Sequence, residues 1–405
     1  MSEYQNLAVI AGFVFVYSVV AARLERTPVG GALVYAGFGV ACGPFGLGII
    51  DLDLDGESLQ RLAEVTLALV LFTDAANANL GVLARFKGLP VRLLLIGLPL
   101  TIALGLGTGT VLLGGLGIFE LALLATMLAP TDAALGKAVV TNTSVPPPVR
   151  EGLNVESGLN DGICVPVLFI FLALAAGKAE GAETITLMLR LPAEEIGIGA
   201  VVGIAAAVVG THVMRICVDR EWLAGTWLQI PIVALALLCF ALAQWIGGSG
   251  FIASFVGGMV FGKLAGERKV RVLEAAEGTG DALALITWVA FGAAVVGPAI
   301  ANASFPIVLY AVLSLTVVRM LPVFLCLLGT NSRPDTKLFI GWFGPRGLAS
   351  IVFIVIVAGE HLPGQDTMAA TVAWTIMLSV LAHGLTANPL AKMFAARLER
   401  RGGAA

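Results

Sequence analysis

The chain has 405 residues, 58% of them hydrophobic and only 13% charged, with a formal net charge of −3. Soluble domains carry about a quarter charged residues, whereas apolar runs of roughly 20 residues, enough to cross ~30 Å of hydrocarbon, recur here from end to end. This excludes a soluble globular domain, gives no reason to expect a nucleic-acid partner, and defines an all-α polytopic membrane protein.

Hydropathy predicts about thirteen transmembrane spans, near 6–22, 28–49, 62–82, 93–115, 118–143, 149–176, 191–216, 226–246, 249–263, 282–300, 303–329, 336–359 and 366–391. The first carries its basic residues after the apolar run, so it reads as a retained helix and not a cleaved leader. Placing the N-terminus outside and the C-terminus in the cytoplasm puts most of the 24 Lys and Arg on the cytoplasmic side. Only Arg61, Lys178 and Arg190 then fall outside, and Lys137, Arg319 and Arg346 lie within spans. That is the positive-inside pattern of a multi-pass protein of the cytoplasmic membrane. No stretch between spans exceeds about twenty residues, so function is expected inside the bilayer.

An ionisable side chain at bilayer depth is costly unless paired or hydrated, which makes each one a functional candidate. In span 5, LAPTDAALG interrupts the helix with Pro130, Thr131, Asp132 and Gly136. Irregular backbone at depth is tolerated where it lines a cavity. Thr131 and the freed carbonyls can ligate a cation there, while Asp132 can offset the positive end of the second half-helix. A plain proline kink with a capping Thr-Asp is the competing reading.

Span 6 carries VESGLNDG. At 100° per residue, Glu156, Ser157, Asn160 and Asp161 share about 140° of arc. Asp161 lies about 18 Å into the span, mid-membrane. A carboxylate beside a hydroxyl and an amide oxygen suits a partly dehydrated monovalent cation. Burial disfavours the ionised form of a carboxylate, so a proton can compete with the cation for the same group. The alternative is a structural charge paired with an arginine.

In span 11 Arg319 has no acid nearby in sequence. Glu156 is its natural partner and would leave Asp161 free, with Asp132 and Asp161 as competitors. In span 12, WFGPRGLAS places Gly344, Pro345, Arg346 and Gly347 mid-helix. Arg346 can neutralise the negative end of the first half-helix. If span 7 is a connector, the broken spans 5 and 12 are each fifth in their half, which points to a transporter site built on two inverted repeats.

Asp74 sits near the inner end of span 3, as a funnel residue or a cap, and Lys137 can snorkel to the cytoplasmic surface. His383 in span 13 is either a pH-sensitive group or a hydrogen-bonded helix residue. The five cysteines match no metal pattern, no HExxH or Ser/His/Asp arrangement is present, and neither a cofactor nor enzymatic activity is expected.

With these residues in place, the sequence resembles the monovalent cation/proton antiporter superfamily, in its NhaP-like sodium/proton exchanger branch. The resemblance rests on Thr131–Asp132, on ESGLND at 156–161, on the isolated Arg319 and on GPRG at 344–347. It implies Asp161 as the alternating proton and cation carrier, with Asp132, Thr131, Ser157 and Asn160 around the ion. It further implies a Glu156–Arg319 structural pair, Arg346 stabilising crossed half-helices, a homodimer, elevator-like alternating access and electroneutral exchange. Residues 1–92 and 226–302 would form the dimerisation scaffold, 93–176 and 303–405 the ion-transport core, and 177–225 the connector. Gly158, where a larger apolar residue is expected, and the missing proline after Thr131–Asp132 depart from the pattern, and the large cytosolic tail of many members is missing.

The expected function is exchange of cytoplasmic Na⁺ (or Li⁺, or K⁺) for external H⁺. A K⁺/H⁺ antiporter and a sodium-coupled solute symporter are the alternatives. A channel is disfavoured because the carboxylates cluster at one depth.

Overall fold

Each apolar stretch of the sequence carries helix, and among the described residues helix is the only regular secondary structure. The structure is a computed structural model that describes residues 3–24, 30–50, 57–78, 88–132, 135, 137–140, 142, 145–177, 182–266, 269–330 and 332–402. Its helices are α1 (Glu3–Leu24), α2 (Gly31–Cys42), α3 (Glu57–Asn77), α4 (Gly88–Leu112), α5 (Ile118–Met127) and α6 (Pro147–Ala175). They continue as α7 (Ala182–Asp219), α8 (Ile230–Trp245), α9 (Gly250–Ala265) and α10 (Lys269–Phe291, extended by Gly292–Val296 and Gly297–Ala301). The last are α11 (Phe305–Leu315, resuming at Val317–Cys326), α12 (Pro334–Trp342), α13 (Leu348–Ala358) and α14 (Gln365–Gly402). Seven of the described helices are long and apolar enough to cross a membrane by length and composition.

Local chemistry explains the irregularities. Helices α4 and α10 each contain a π turn, at Leu93–Gly97 and Gly292–Val296. Pro99 and Pro298 follow two residues after these turns. A proline offers no amide and its ring crowds the carbonyl four residues back, so the ladder slips by one residue. The sequence reading took span 11 as unbroken, but the structure interrupts it at Thr316, where φ is −107° and ψ −90°. The β-branched run Thr316-Val317-Val318 weakens the helix at that point.

The chain divides into two compact units. The first comprises residues 1–60, 81–157 and 285–405. Within it α2 packs on the π turn of α10, α4 on α5, and α11 on both α12 and α14. One apolar core of this unit joins Leu93, Leu153, Val323, Phe339, Phe343 and Phe394 from α4, α6, α11, α12, α14 and the residue after α12. The second unit comprises residues 61–80 and 158–284. There α9 packs along α7 and α8 around Phe72, Leu235, Cys239 and Phe261. A Cβ on Gly258 or Gly262 of α9 would collide with the Phe72 or Ala76 carbonyl of α3. This is the close backbone approach that holds helices together where lipid removes the hydrophobic incentive.

Candidate functional site

Helix α5 ends because Pro130 cannot donate an amide, and its last bond is Leu128 N–H to Leu124 O. The chain then runs without helix through Thr131 and Asp132, and a short helical turn follows at Lys137–Val140. Helix α12 ends at Trp342, and residues 343–347 carry no regular secondary structure before α13 begins.

The two breaks are stitched to each other. The Asp132 amide donates to the Pro345 carbonyl at 2.8 Å. Asp132 Oδ2 accepts the Leu348 amide at the start of α13 at 2.9 Å, and Oδ1 accepts the Leu135 amide at 3.3 Å. A single carboxylate therefore answers the positive end of the other broken helix as well as an amide of its own. Arg346 is its counterpart: Nη1 donates to Gly344 O at 3.2 Å and to Pro130 O at 3.1 Å, so one buried guanidinium serves the negative ends of both first halves. Ser350 Oγ donates to Met127 O at 2.7 Å and takes another end carbonyl. Each helix end leaves about four backbone groups without an intrahelical partner, which at two buried breaks would be prohibitive; two opposite charges placed at the dipole ends answer several of them.

The glycines of GPRG make this crossing possible. A Cβ on Gly347 would overlap the Asp132 carboxylate, and one on Gly344 would overlap the Arg319 guanidinium. Gly347→Ala is therefore expected to dislodge a charged hydrogen bond, at about 1.5–3 kcal/mol. It should lower the Tm of the detergent-solubilised protein, whereas Gly107→Ala, where a Cβ meets open space, should not. Equal melting of the two variants would rule out this crowding.

Glu156 and Arg319 form a two-pronged ion pair, Nη1 to Oε1 at 2.6 Å and Nη2 to Oε2 at 2.8 Å, with both side chains 2% exposed. One residue on, Ser157 Oγ donates to the Thr131 carbonyl and ties α6 to the first break. Thr131, Asp132, Ser157, Phe343 and Pro345 face a cavity of about 10 Å³, the room that one water-sized occupant needs. Asn160 and Asp161 follow on the next turn of α6, both buried, within the second unit. In that unit the Asp74 carbonyl of α3 lies 3.5 Å from where a Cβ on Gly158 would stand. A Cβ there would make ordinary van der Waals contact with α3, so the space beside Gly158 admits an alanine.

The structure thus gathers Thr131, Asp132, Ser157 and Arg346 at the breaks and pairs Glu156 with Arg319. Gly136 and the Lys137 side chain lie outside the described residues. Among the described residues no group of three His, Cys, Asp or Glu side chains could hold a metal ion. The sequence reading missed Ser350 and Ser379. The signal was present for the second: Thr371, Thr375, Ser379 and His383 recur every four residues in an apolar span, and all four are buried.

Apolar membrane-length helices with buried charges at two stitched breaks define a multi-pass helical membrane protein. The chain belongs to the family described as sodium/hydrogen exchanger, transmembrane, which it matches over residues 11–393. Among curated proteins it is similar to the K⁺/H⁺ antiporter NhaP2 of Shewanella sp. (strain ANA-3), 22% identical over 362 residues. That match takes in 89% of this chain and 62% of the relative, so the chain spans less than two thirds of that protein's length. It is also similar to the Na⁺/H⁺ antiporter ApNhaP of Aphanothece halophytica, 24% identical over 355 residues, covering 84% of this chain and 66% of that protein. The fold is that of the solved sodium proton antiporter MjNhaP1 from Methanocaldococcus jannaschii. The TM-score is 0.80 at 21% identity, covering 95% of this chain and 100% of that one.

Proposed function

We propose that the protein is a secondary active antiporter exchanging a monovalent cation, Na⁺ (or Li⁺, or K⁺), for H⁺ by alternating access. The observation that carries this reading is the reciprocal use of Asp132 and Arg346. Together they let two helix breaks persist in a buried setting, beside Ser157 of α6. Asp161 is the carrier, protonated or cation-loaded in turn, and Thr131, Asp132, Ser157 and Asn160 supply further oxygens. The Glu156–Arg319 pair is structural.

Competition of both ions for one carboxylate suffices for coupling, because the site moves when loaded by either. Exchange of one charge for one makes the cycle electroneutral. Residues 93–176 and 303–405 act as the moving core and 1–92 and 226–302 as the scaffold of a homodimer, with the N-terminus outside.

The names of the relatives divide between Na⁺ and K⁺, so the test is an ion panel. Proteoliposomes holding a pH-sensitive dye are challenged with Na⁺, Li⁺, K⁺ and choline. Cation-selective proton flux is expected, insensitive to clamped membrane potential, falling at low pH where the carboxylate stays protonated and at high pH where protons are scarce. A flat pH profile, or no flux with any alkali cation, would overturn the proposal.

A further inference from the structure

Helix α14 presents Ser379, His383 and Thr386 four and three residues apart, hence on one face. That face grips the end of α12 and the start of the second break. His383 Nε2 lies 2.8 Å from the Trp342 carbonyl, an end carbonyl of α12. A carbonyl can only accept, so this bond is made by a hydrogen on Nε2. Ring Nδ1 lies 3.2 Å from Ser379 Oγ and 2.8 Å from the Ser379 carbonyl. Ser379 Oγ in turn accepts the backbone amide of Arg346 at 2.7 Å. A neutral ring with its hydrogen on Nε2 holds the Trp342 carbonyl and can take the Ser379 hydroxyl hydrogen on Nδ1, a neutral ring with its hydrogen on Nδ1 holds the Ser379 carbonyl, and only a ring carrying both hydrogens donates to both carbonyls. Thr386 Oγ1 accepts the Trp342 indole N–H at 3.0 Å, a second hold on the same residue. The His383 ring also packs against those of Trp342 and Phe343.

The geometry points to Ser379 and His383 as positioning residues for the ion site, an inference that rests on the antiport reading above. They touch neither Asp132 nor Ser157 among the described bonds; they act through Arg346. Fixing both ends of the segment from Trp342 to Arg346 holds the guanidinium on Pro130 O and Gly344 O, and holds the Pro345 carbonyl on the Asp132 amide beside the small cavity. A slack segment loosens the Asp132–Pro345 bond and the oxygens set around the cavity, and so weakens the hold on an incoming cation. The defect therefore appears as weakened cation binding rather than as loss of the fold.

The full chain in proteoliposomes is compared with His383→Leu, His383→Gln and Ser379→Ala. His383→Leu and Ser379→Ala are expected to raise the half-saturating cation concentration about fivefold or more, with maximal flux within about twofold of wild type. His383→Gln, which retains a donor for Trp342 O, is expected to keep the wild-type value and the wild-type pH profile. Hydrogen exchange measured on the same samples should show faster exchange in peptides covering 343–350, with peptides from α7 to α9 unchanged. That readout does not depend on transport, so a wild type without cation-coupled flux would sink the antiport reading while leaving the positioning role to be judged by exchange. Unchanged half-saturation and exchange in folded Leu and Ala variants would overturn the inference. So would a general loss of protection, which marks a merely structural role. A shifted pH profile in His383→Gln would overturn it as well, because the titration of the ring and not its placement would then matter.

Discussion

Asp161→Asn is expected to abolish cation-coupled proton flux, by about a hundredfold or more, equivalent to ~2.7 kcal/mol of barrier. Asparagine keeps the shape and the carbonyl oxygen of aspartate but cannot titrate, so the step in which proton and cation exchange places has no group left to occur on. The substitution also removes a buried charge, so folded yield and Tm should hold or rise. This separates a lost carrier from a lost fold. Asp132→Asn provides the contrast. An amide oxygen there can still accept the Leu348 amide, so the stitch between the breaks is kept in part and flux should fall without vanishing. The assay is dye-reported flux in proteoliposomes under saturating Na⁺, and for each alkali ion that wild type transports. Undiminished flux in Asp161→Asn would remove the carrier role from this residue and make Asp132 the next group to test.

Much of the architecture was legible because a membrane makes sequence rules strict. Apolar runs must be helices, and a Pro-Thr-Asp or Gly-Pro-Arg-Gly interruption must be answered by something buried. The positions of both breaks, and the charge types they need, follow from that alone. What the sequence did not disclose is reciprocity. Reading span 5 and span 12 separately assigns Asp132 to its own second half and Arg346 to its own first half. In three dimensions each also serves the other break, through Leu348 N and Pro130 O. The role of Ser379 was hidden for a related reason: it is defined by a partner far along the chain, the amide of Arg346. Spacing rules see neighbours on one helix and are silent on which helix lies opposite.

The pair at Glu156 and Arg319 should give the largest stability effect. Both groups are 2% exposed and joined by two short bonds, so Glu156→Gln leaves a full positive charge buried without its counter-charge. Breaking such a pair costs about 3–5 kcal/mol, and the expected result is a fall in Tm of about 5 °C or more in detergent. Arg319→Met strands the opposite charge and should cost a similar amount. The double variant Glu156→Leu/Arg319→Met removes both charges, and apolar side chains of comparable bulk can fill the space. It is expected to recover most of the lost stability, giving a coupling of several kcal/mol in the double-mutant cycle. Its transport activity then decides what the pair is for. Recovery of flux together with Tm would mean that Glu156 and Arg319 only hold α6 against α11. Recovery of Tm without flux would mean that the charges themselves act in the cycle. In that case the guanidinium beside Gly344, or the carboxylate one residue before Ser157, biases ion occupancy on α6 through its field rather than its contacts. Independent losses in the two single variants that simply add in the double would show that the pair contributes no coupling, and would contradict the geometry.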